Sequence, residues 1–218
     1  VSDAPAIEKA LAELVPDGAA SARRIPETVG DTLFPEERAA IARAVPRRRA
    51  EFIAGRACAR HALFRLGQPA MAIPSGPDRA PIWPDGFVGS ISHCEDLAIA
   101  VVARCPGAIR SLGVDIEPAC PLEAELVENI CTAAEQRYLA NAANAGLLAK
   151  TIFSIKESVY KAQYPLTHTM LEFLDVELVL DATAGRFDAV VANSALPPLG
   201  GRFRIEAGHI LALTYIAA

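Results

Sequence analysis

The stretch SLGVDIEP, Ser111 to Pro118, reads as a β-strand whose two faces differ in kind. Side chains alternate along a strand, so Leu112, Val114 and Ile116 share an apolar face. Asp115 and Glu117 project together from the other, about 7 Å apart by strand geometry. Two carboxylates that close repel each other unless water or a cation separates them.

Around this strand the chain alternates helical periods with strand-like runs. AIEKALAELV is a short amphipathic helix, and a Pro/Gly-punctuated segment follows. PEERAAIARAV turns helical, and the pattern resumes after Pro46 as RRRAEFIAGRACARHALFRLG, with Gly67 as its stop. FVGSISH and LAIAVVA read as two strands joined by a short turn. After SLGVDIE the longest helix covers about Leu147 to Gln163, and LEFLDVELVL, RFDAVVA and HILALTYIA close the chain as strands. Helices followed by antiparallel hairpins in both parts predict an α+β fold of two similar, pseudo-duplicated halves, each with helices on a small antiparallel sheet. The boundary falls at the turn RCPGAIRS, giving halves 1–108 and 109–218.

A net charge of −5 argues against a nucleic-acid partner. The charge is uneven: residues 36–66 hold eight arginines against three glutamates. The acidic start without a basic leader and the lack of a long apolar run point away from secretion and from a membrane. Five cysteines without a C-x-x-C pair suit reduced thiols and a cytoplasmic protein.

Three constellations carry chemistry. On the arginine helix, Arg49, Arg56 and Arg60 fall within about 40° of one another, with Arg48 a quarter-turn away. Such a stripe is either a solvated face or a phosphate grip, for which the guanidinium fork is suited. In KTIFSIKESVYKA, Leu148, Ile152, Ile155, Val159 and Ala162 line one helix face. Lys150, Ser154, Glu157 and Lys161 occupy the opposite one, with Lys156 at the border. Alone, this is a surface helix with a Glu157–Lys161 pair. Together with Asp115 and Glu117, Glu157 completes a set of three acids able to ligate Mg²⁺, which prefers oxygen and bridges carboxylates to phosphates. The third constellation is GSISHCED, whose small residues admit a ligand to the backbone and whose His93 ends the strand.

These motifs resemble those of the 4′-phosphopantetheinyl transferases, in their larger, two-halved class. The family signature of G-[VI]-D followed by [FW]-[SCT]-x-K-E-[AS]-x-x-K is matched by Gly113-Val114-Asp115 and Phe153 to Lys161. The D-I-E form with Glu117, and upstream RRRAEFIAGRACARHAL, PIWPDG and GSISH, are similar to the larger class. The resemblance implies transfer of 4′-phosphopantetheine from coenzyme A to a serine of an apo acyl or peptidyl carrier protein. It implies that Asp115, Glu117 and Glu157 hold Mg²⁺ and that Arg48, Arg56 and His93 grip the 3′-phosphate region. Lys156 and Lys161 would neutralise the diphosphate, and Tyr160 would line the pantetheine arm. Glu157 is the first choice of base for the serine, acting directly or through a metal-bound water. Relatives often have a basic residue where this chain has Ser75, and Arg79 is the candidate replacement. A monomer is expected. Two other readings use the same residues, a Mg²⁺-dependent nucleotide diphosphate hydrolase and a non-enzymatic coenzyme A-binding protein.

Overall fold

A computed structural model describes residues 4–26, 33–192 and 196–218. Helix α1 (Ala4–Leu14) leads into β1 (Ala19–Arg24), the short α2 (Pro35–Arg38) and the long α3 (Pro46–Arg65). Strands β2 (Phe87–His93), β3 (Ala98–Arg104) and β4 (Ile109–Pro118) follow. The helices α4 (Val127–Ile130), α5 (Ala133–Leu139) and α6 (Ala145–Thr167) precede β5 (Val176–Asp181), β6 (Arg186–Val191), β7 (Leu199–Glu206) and β8 (His209–Ala217). Two antiparallel sheets result, one in the order β1-β3-β2 and one in the order β4-β8-β7-β6-β5. The α+β architecture of helices on two small antiparallel sheets is the expected one.

The periodicity explains the packing. Ala54, Cys58, Ala62 and Leu63 of α3 meet Ala98, Ala100 and Val102 of β3. Ile152, Ile155 and Val159 of α6 meet Val176, Leu178 and Phe187 of the larger sheet. The apolar face of β4 packs with Ile7, Leu11 and Leu14 of α1. Its other face lies on α6 at very short range. A Cβ at Gly113 would stand 2.0 Å from the carbonyl oxygen of Ser158, so the strand-helix crossing tolerates no side chain there.

Three expectations are corrected. PEERAAIARAV does not form one helix: α2 ends at Arg38 and a single 3₁₀ turn, Ala39–Ile41, follows. Arg49 donates from α3 to the carbonyls of Ala42 and Ala44 (2.8 and 3.1 Å) and ties down the loop between. β1 falls within the segment read only as punctuated coil. β7 was also not expected, because LGGRFRIE has no run of β-branched residues. Both strands exist because β3 and β8 offer open edges for pairing.

Candidate active site

The two sheets meet where β2 lies beside β4, and serine side chains replace a backbone ladder at this seam. The Val114 N–H donates to Ser90 Oγ (3.0 Å) and the Ile116 N–H to Ser92 Oγ (3.3 Å). Ser92 Oγ then donates to Asp115 Oδ1 (2.8 Å), and Ser154 Oγ of α6 donates to Oδ2 (2.8 Å). Lys161 Nζ completes the cluster, 2.7 Å from Asp115 Oδ1 and 3.1 Å from Ser92 Oγ. Asp115 is buried among these donors.

Glu117 is ion-paired with Lys150, whose ammonium also sits 4.5 Å from the centre of the Phe153 ring. The repulsion expected between Asp115 and Glu117 is therefore relieved by two separate lysines. Glu157 makes no hydrogen bond or ion pair among the described residues. Burial raises its carboxyl above the usual range; Lys161 and Lys150 oppose this and Asp115 and Glu117 add to it. Glu157 thus feels the charge of both other acids, although the oxygens of the three do not all fall within 4.8 Å of each other. An all-oxygen set containing one unpartnered, destabilised carboxylate fits a hard dication such as Mg²⁺.

Lys156 does not join them. It is 1% exposed and donates to Glu135 Oε2 (2.8 Å), Ile130 O (2.8 Å) and Phe173 O (2.9 Å). All three ammonium hydrogens are used, and the expectation that Lys156 neutralises a diphosphate is corrected. It is a pillar holding α5, α6 and the approach to β5 together.

The arginine helix divides in the same way. Arg48 approaches His93 Nε2, and His93 Nδ1 lies 3.5 Å from Glu51. An arginine only donates, so His93 Nε2 accepts and Nδ1 carries the hydrogen. Burial and the Arg48 charge lower the pKa of His93, against the pull of Glu51. Arg48 and Arg79 line a cavity of about 460 Å³ with Phe52, Ser75 and Gly76. Arg79 has a φ of 69°, in the left-handed region, within a turn closed by its own N–H to Gly76 O (2.9 Å).

Arg56 is 5% exposed and donates to Ile73 O (2.7 Å) and Ser75 Oγ (2.9 Å) over the Phe52 ring. Burial pulls it down to about 10, with Glu37 opposing. In this position it supports the cavity wall through Ile73 and Ser75, with part of its guanidinium fork still to be matched among the described residues. Arg60 is paired with the buried Glu37 (2.8 Å), so the stripe is not an open anion surface. Ser75, at the position of the missing basic residue, is the acceptor that holds Arg56.

Two further cavities flank the acids. One of about 530 Å³ is lined by Trp83, Gly89, Tyr160, Lys161 and Tyr164 among others, and one of about 190 Å³ by Glu157, Tyr160, Met170 and Phe173. Tyr160 separates them, its hydroxyl 3.0 Å from Met170 Sδ.

Known proteins with these features decide the family. A family described as "4'-phosphopantetheinyl transferase N-terminal domain" matches residues 36–103, and the "4'-phosphopantetheinyl transferase superfamily" matches residues 111–193. The chain belongs to the 4′-phosphopantetheinyl transferase family. It is similar to the 4′-phosphopantetheinyl transferase Svp of Streptomyces mobaraensis, with 39% identity covering 95% of this chain and 89% of that protein. The 4′-phosphopantetheinyl transferase PptT of Mycobacterium tuberculosis is 38% identical over 84% of this chain and 85% of its own length. Enterobactin synthase component D of Escherichia coli is 39% identical over 68% of this chain and 70% of its own.

This transferase is therefore an enzyme that moves the 4′-phosphopantetheine group. The phosphopantetheinyl transferase signature accounts for what the geometry requires at several positions. Its first glycine is Gly113, excluded from bearing a side chain; its aspartate is Asp115; its last lysine is Lys161, the partner of that aspartate. Its first lysine, Lys156, is the buried pillar. Sequence reasoning read Ser90 and Ser92 as small residues that admit a ligand and Ser154 as part of a polar helix face, whereas the three hydroxyls bond to the β4 backbone and to Asp115; the pair Lys156–Glu135 was not foreseen. Only the strand alternation that points Ser90 and Ser92 to one side of β2 hints at the bonds of those two.

Proposed function

We propose that the transferase takes 4′-phosphopantetheine from coenzyme A, delivers it to a serine hydroxyl of an apo acyl or peptidyl carrier protein, and releases adenosine 3′,5′-bisphosphate. The observation that carries this reading is the seam itself. Asp115 and Glu157, with Glu117 and Lys161, come together where β4 meets α6, Glu157 lining the small cavity beside Tyr160 and Arg48 and Arg79 lining another. The 3′-phosphate end of the donor belongs at Arg48, Arg79 and His93, the diphosphate at Lys161, and the pantetheine arm beside Tyr160. The halves 1–108 and 109–218 then divide the work, the first gripping the adenosine end and the second carrying the acids.

Asp115, Glu117 and Glu157 would hold Mg²⁺, which when bound supplies charge neutralisation at the diphosphate oxygens. Serine Oγ attacks phosphorus, the new P–O bond forms as the bond to the bisphosphate leaving group breaks, and the serine proton passes to Glu157. Lys161, with Nζ 2.7 Å from Asp115 Oδ1, would offset the charge developing at the diphosphate. The free thiols of all five cysteines accord with action in the cytoplasm, and the enzyme is read as a monomer.

The test is mass spectrometry of an apo carrier incubated with enzyme, coenzyme A and Mg²⁺. The carrier should gain one phosphopantetheine, and a chelator should stop the gain. Consumption of coenzyme A without any carrier would favour the hydrolase reading. Binding without turnover, unaffected by loss of Asp115, would favour a coenzyme A-binding protein.

A further inference from the structure

Beyond the transfer site, one cluster of ligand-type side chains joins the two sheets. Cys94 and Asp96 lie in the turn between β2 and β3, closed by the Cys94 N–H to Leu97 O (2.8 Å). His209 opens β8, just after the Ala207-Gly208 turn. Cys94 Sγ is 3.2 Å from Asp96 Oδ1, and His209 Nε2 is 3.0 Å from the same oxygen. One ligand atom from each residue lies within 4.8 Å of the others, and no other group of three His, Cys, Asp or Glu does so among the described residues.

The tautomer of His209 points further. Its Nδ1 is 2.9 Å from the carbonyl of Ala207, which can only accept, so Nδ1 carries the hydrogen. In a neutral ring, Nε2 then presents its lone pair to a carboxylate oxygen. Two acceptors at 3.0 Å need a cation between them, a proton or a metal. An Nδ1–H held by a carbonyl is also the arrangement by which proteins orient a metal-binding imidazole.

We propose that Cys94, Asp96 and His209 form a binding site for Zn²⁺ that clamps the turn after β2 to the start of β8. A sulfur, a nitrogen and an oxygen are a donor set for zinc and not for Mg²⁺. Bond lengths of about 2.0–2.3 Å to a tetrahedral zinc separate its ligands by about 3.3–3.7 Å. The observed 3.2 and 3.0 Å need to open by only a few tenths of an ångström. Asp96 is exposed, which leaves the fourth position to water. Burial and the Asp96 carboxylate push the Cys94 thiol up to about 12, so near neutrality the metal must displace its proton to solvent. The clamp fixes the residue that follows His93 in the chain, and so steadies the strand end that faces Arg48.

Cobalt(II) is the probe, added to the full chain in excess Mg²⁺ and without coenzyme A, whose own thiol would bind the ion. One equivalent should bind with thiolate-to-cobalt charge-transfer absorption, and Zn²⁺ should displace it. Cys94→Ser should abolish that absorption, and His209→Gln should weaken binding at least tenfold. Zn²⁺ should raise the Tm of the parent but not of Cys94→Ser. No charge-transfer band in the parent, or a band that survives Cys94→Ser, overturns the site. If Cys94→Ser does not fold, affinity unchanged in both His209→Gln and Asp96→Asn overturns it equally, and an imidazolium-carboxylate pair is what remains. Because the cobalt readout involves no transfer chemistry, its failure is distinct from failure of the proposed activity.

Discussion

Lys161 Nζ stands 2.7 Å from Asp115 Oδ1, joining the last signature residue of α6 to the acid of β4 across the seam between the sheets. The pair is asymmetric: the aspartate side chain is 4% exposed and the lysine 26%. The acid therefore depends on its partners more than the base does.

Removing that acid should harm the fold as well as the reaction. Asp115→Ala strands Lys161, Ser92 and Ser154 without their acceptor, and breaking such a buried pair costs about 3 kcal/mol. Asp115→Asn keeps the shape and one acceptor oxygen for Lys161 and Ser92, so it should be less destabilised than Asp115→Ala while losing transfer. Thermal melts and carrier modification on both variants check this. An Asp115→Ala protein as stable as the parent would show that repulsion between the acids outweighs the network.

Glu157 sets a pH dependence. Its folded pKa is raised by burial, with Lys161 opposing and the neighbouring acids adding. The folded state therefore holds this proton more tightly than the unfolded chain, whose carboxyl titrates near 4.5. Its contribution to stability is full below that value and is lost as pH rises through the folded pKa. Without Mg²⁺, Glu157→Gln should thus match the parent in acid and exceed it in Tm near neutrality, while in assays with Mg²⁺ its kcat should fall steeply. A Tm difference that does not grow with pH would contradict the shift.

Lys156 should behave as a structural residue. Lys156→Ala leaves Glu135 buried without its counter-charge and should cost about 3–5 kcal/mol. The double variant Lys156→Met/Glu135→Gln removes both charges while keeping an acceptor for the Leu178 N–H, and should recover part of the stability. If the refolded double variant has a normal KM for coenzyme A, the lysine has no part in holding the diphosphate. A KM raised at unchanged Tm would restore that role.

Arg48 and Arg56 should separate by the quantity they change. Arg48 is half-exposed on the cavity, and a charge-assisted phosphate contact is worth about 1.5–3 kcal/mol. Arg48→Ala should raise the KM for coenzyme A about tenfold to a hundredfold, with little effect on dephospho-coenzyme A and on Tm. Arg56→Ala should instead lower Tm and weaken both donors alike. The ratio of kcat/KM for the two donors, measured beside thermal melts, distinguishes them.

The sequence by itself determined which residues share a face. Period two placed Asp115 and Glu117 together on β4 and gave β2 as Phe87–His93 and β8 as His209–Ala217. Period 3.6 placed Ile152, Ile155 and Val159 against the larger sheet. The spacing of Gly113-Val114-Asp115 from Phe153–Lys161 carried the family. Tertiary structure alone decided which partner each charge meets. Lys156 and Lys161 are both lysines of the α6 signature, one at the border of its apolar face and one on its polar face, yet only the fold shows that the first is sealed onto Glu135, 21 residues away, and the other meets Asp115. Arg48 and Arg56 differ in the same manner, one on a cavity and one held by Ile73 and Ser75. The physical reason is range. Side-chain direction follows from local backbone geometry, whereas burial of a charge depends on acceptors brought by distant segments, and β1 and β7 likewise became strands only where β3 and β8 supplied an edge.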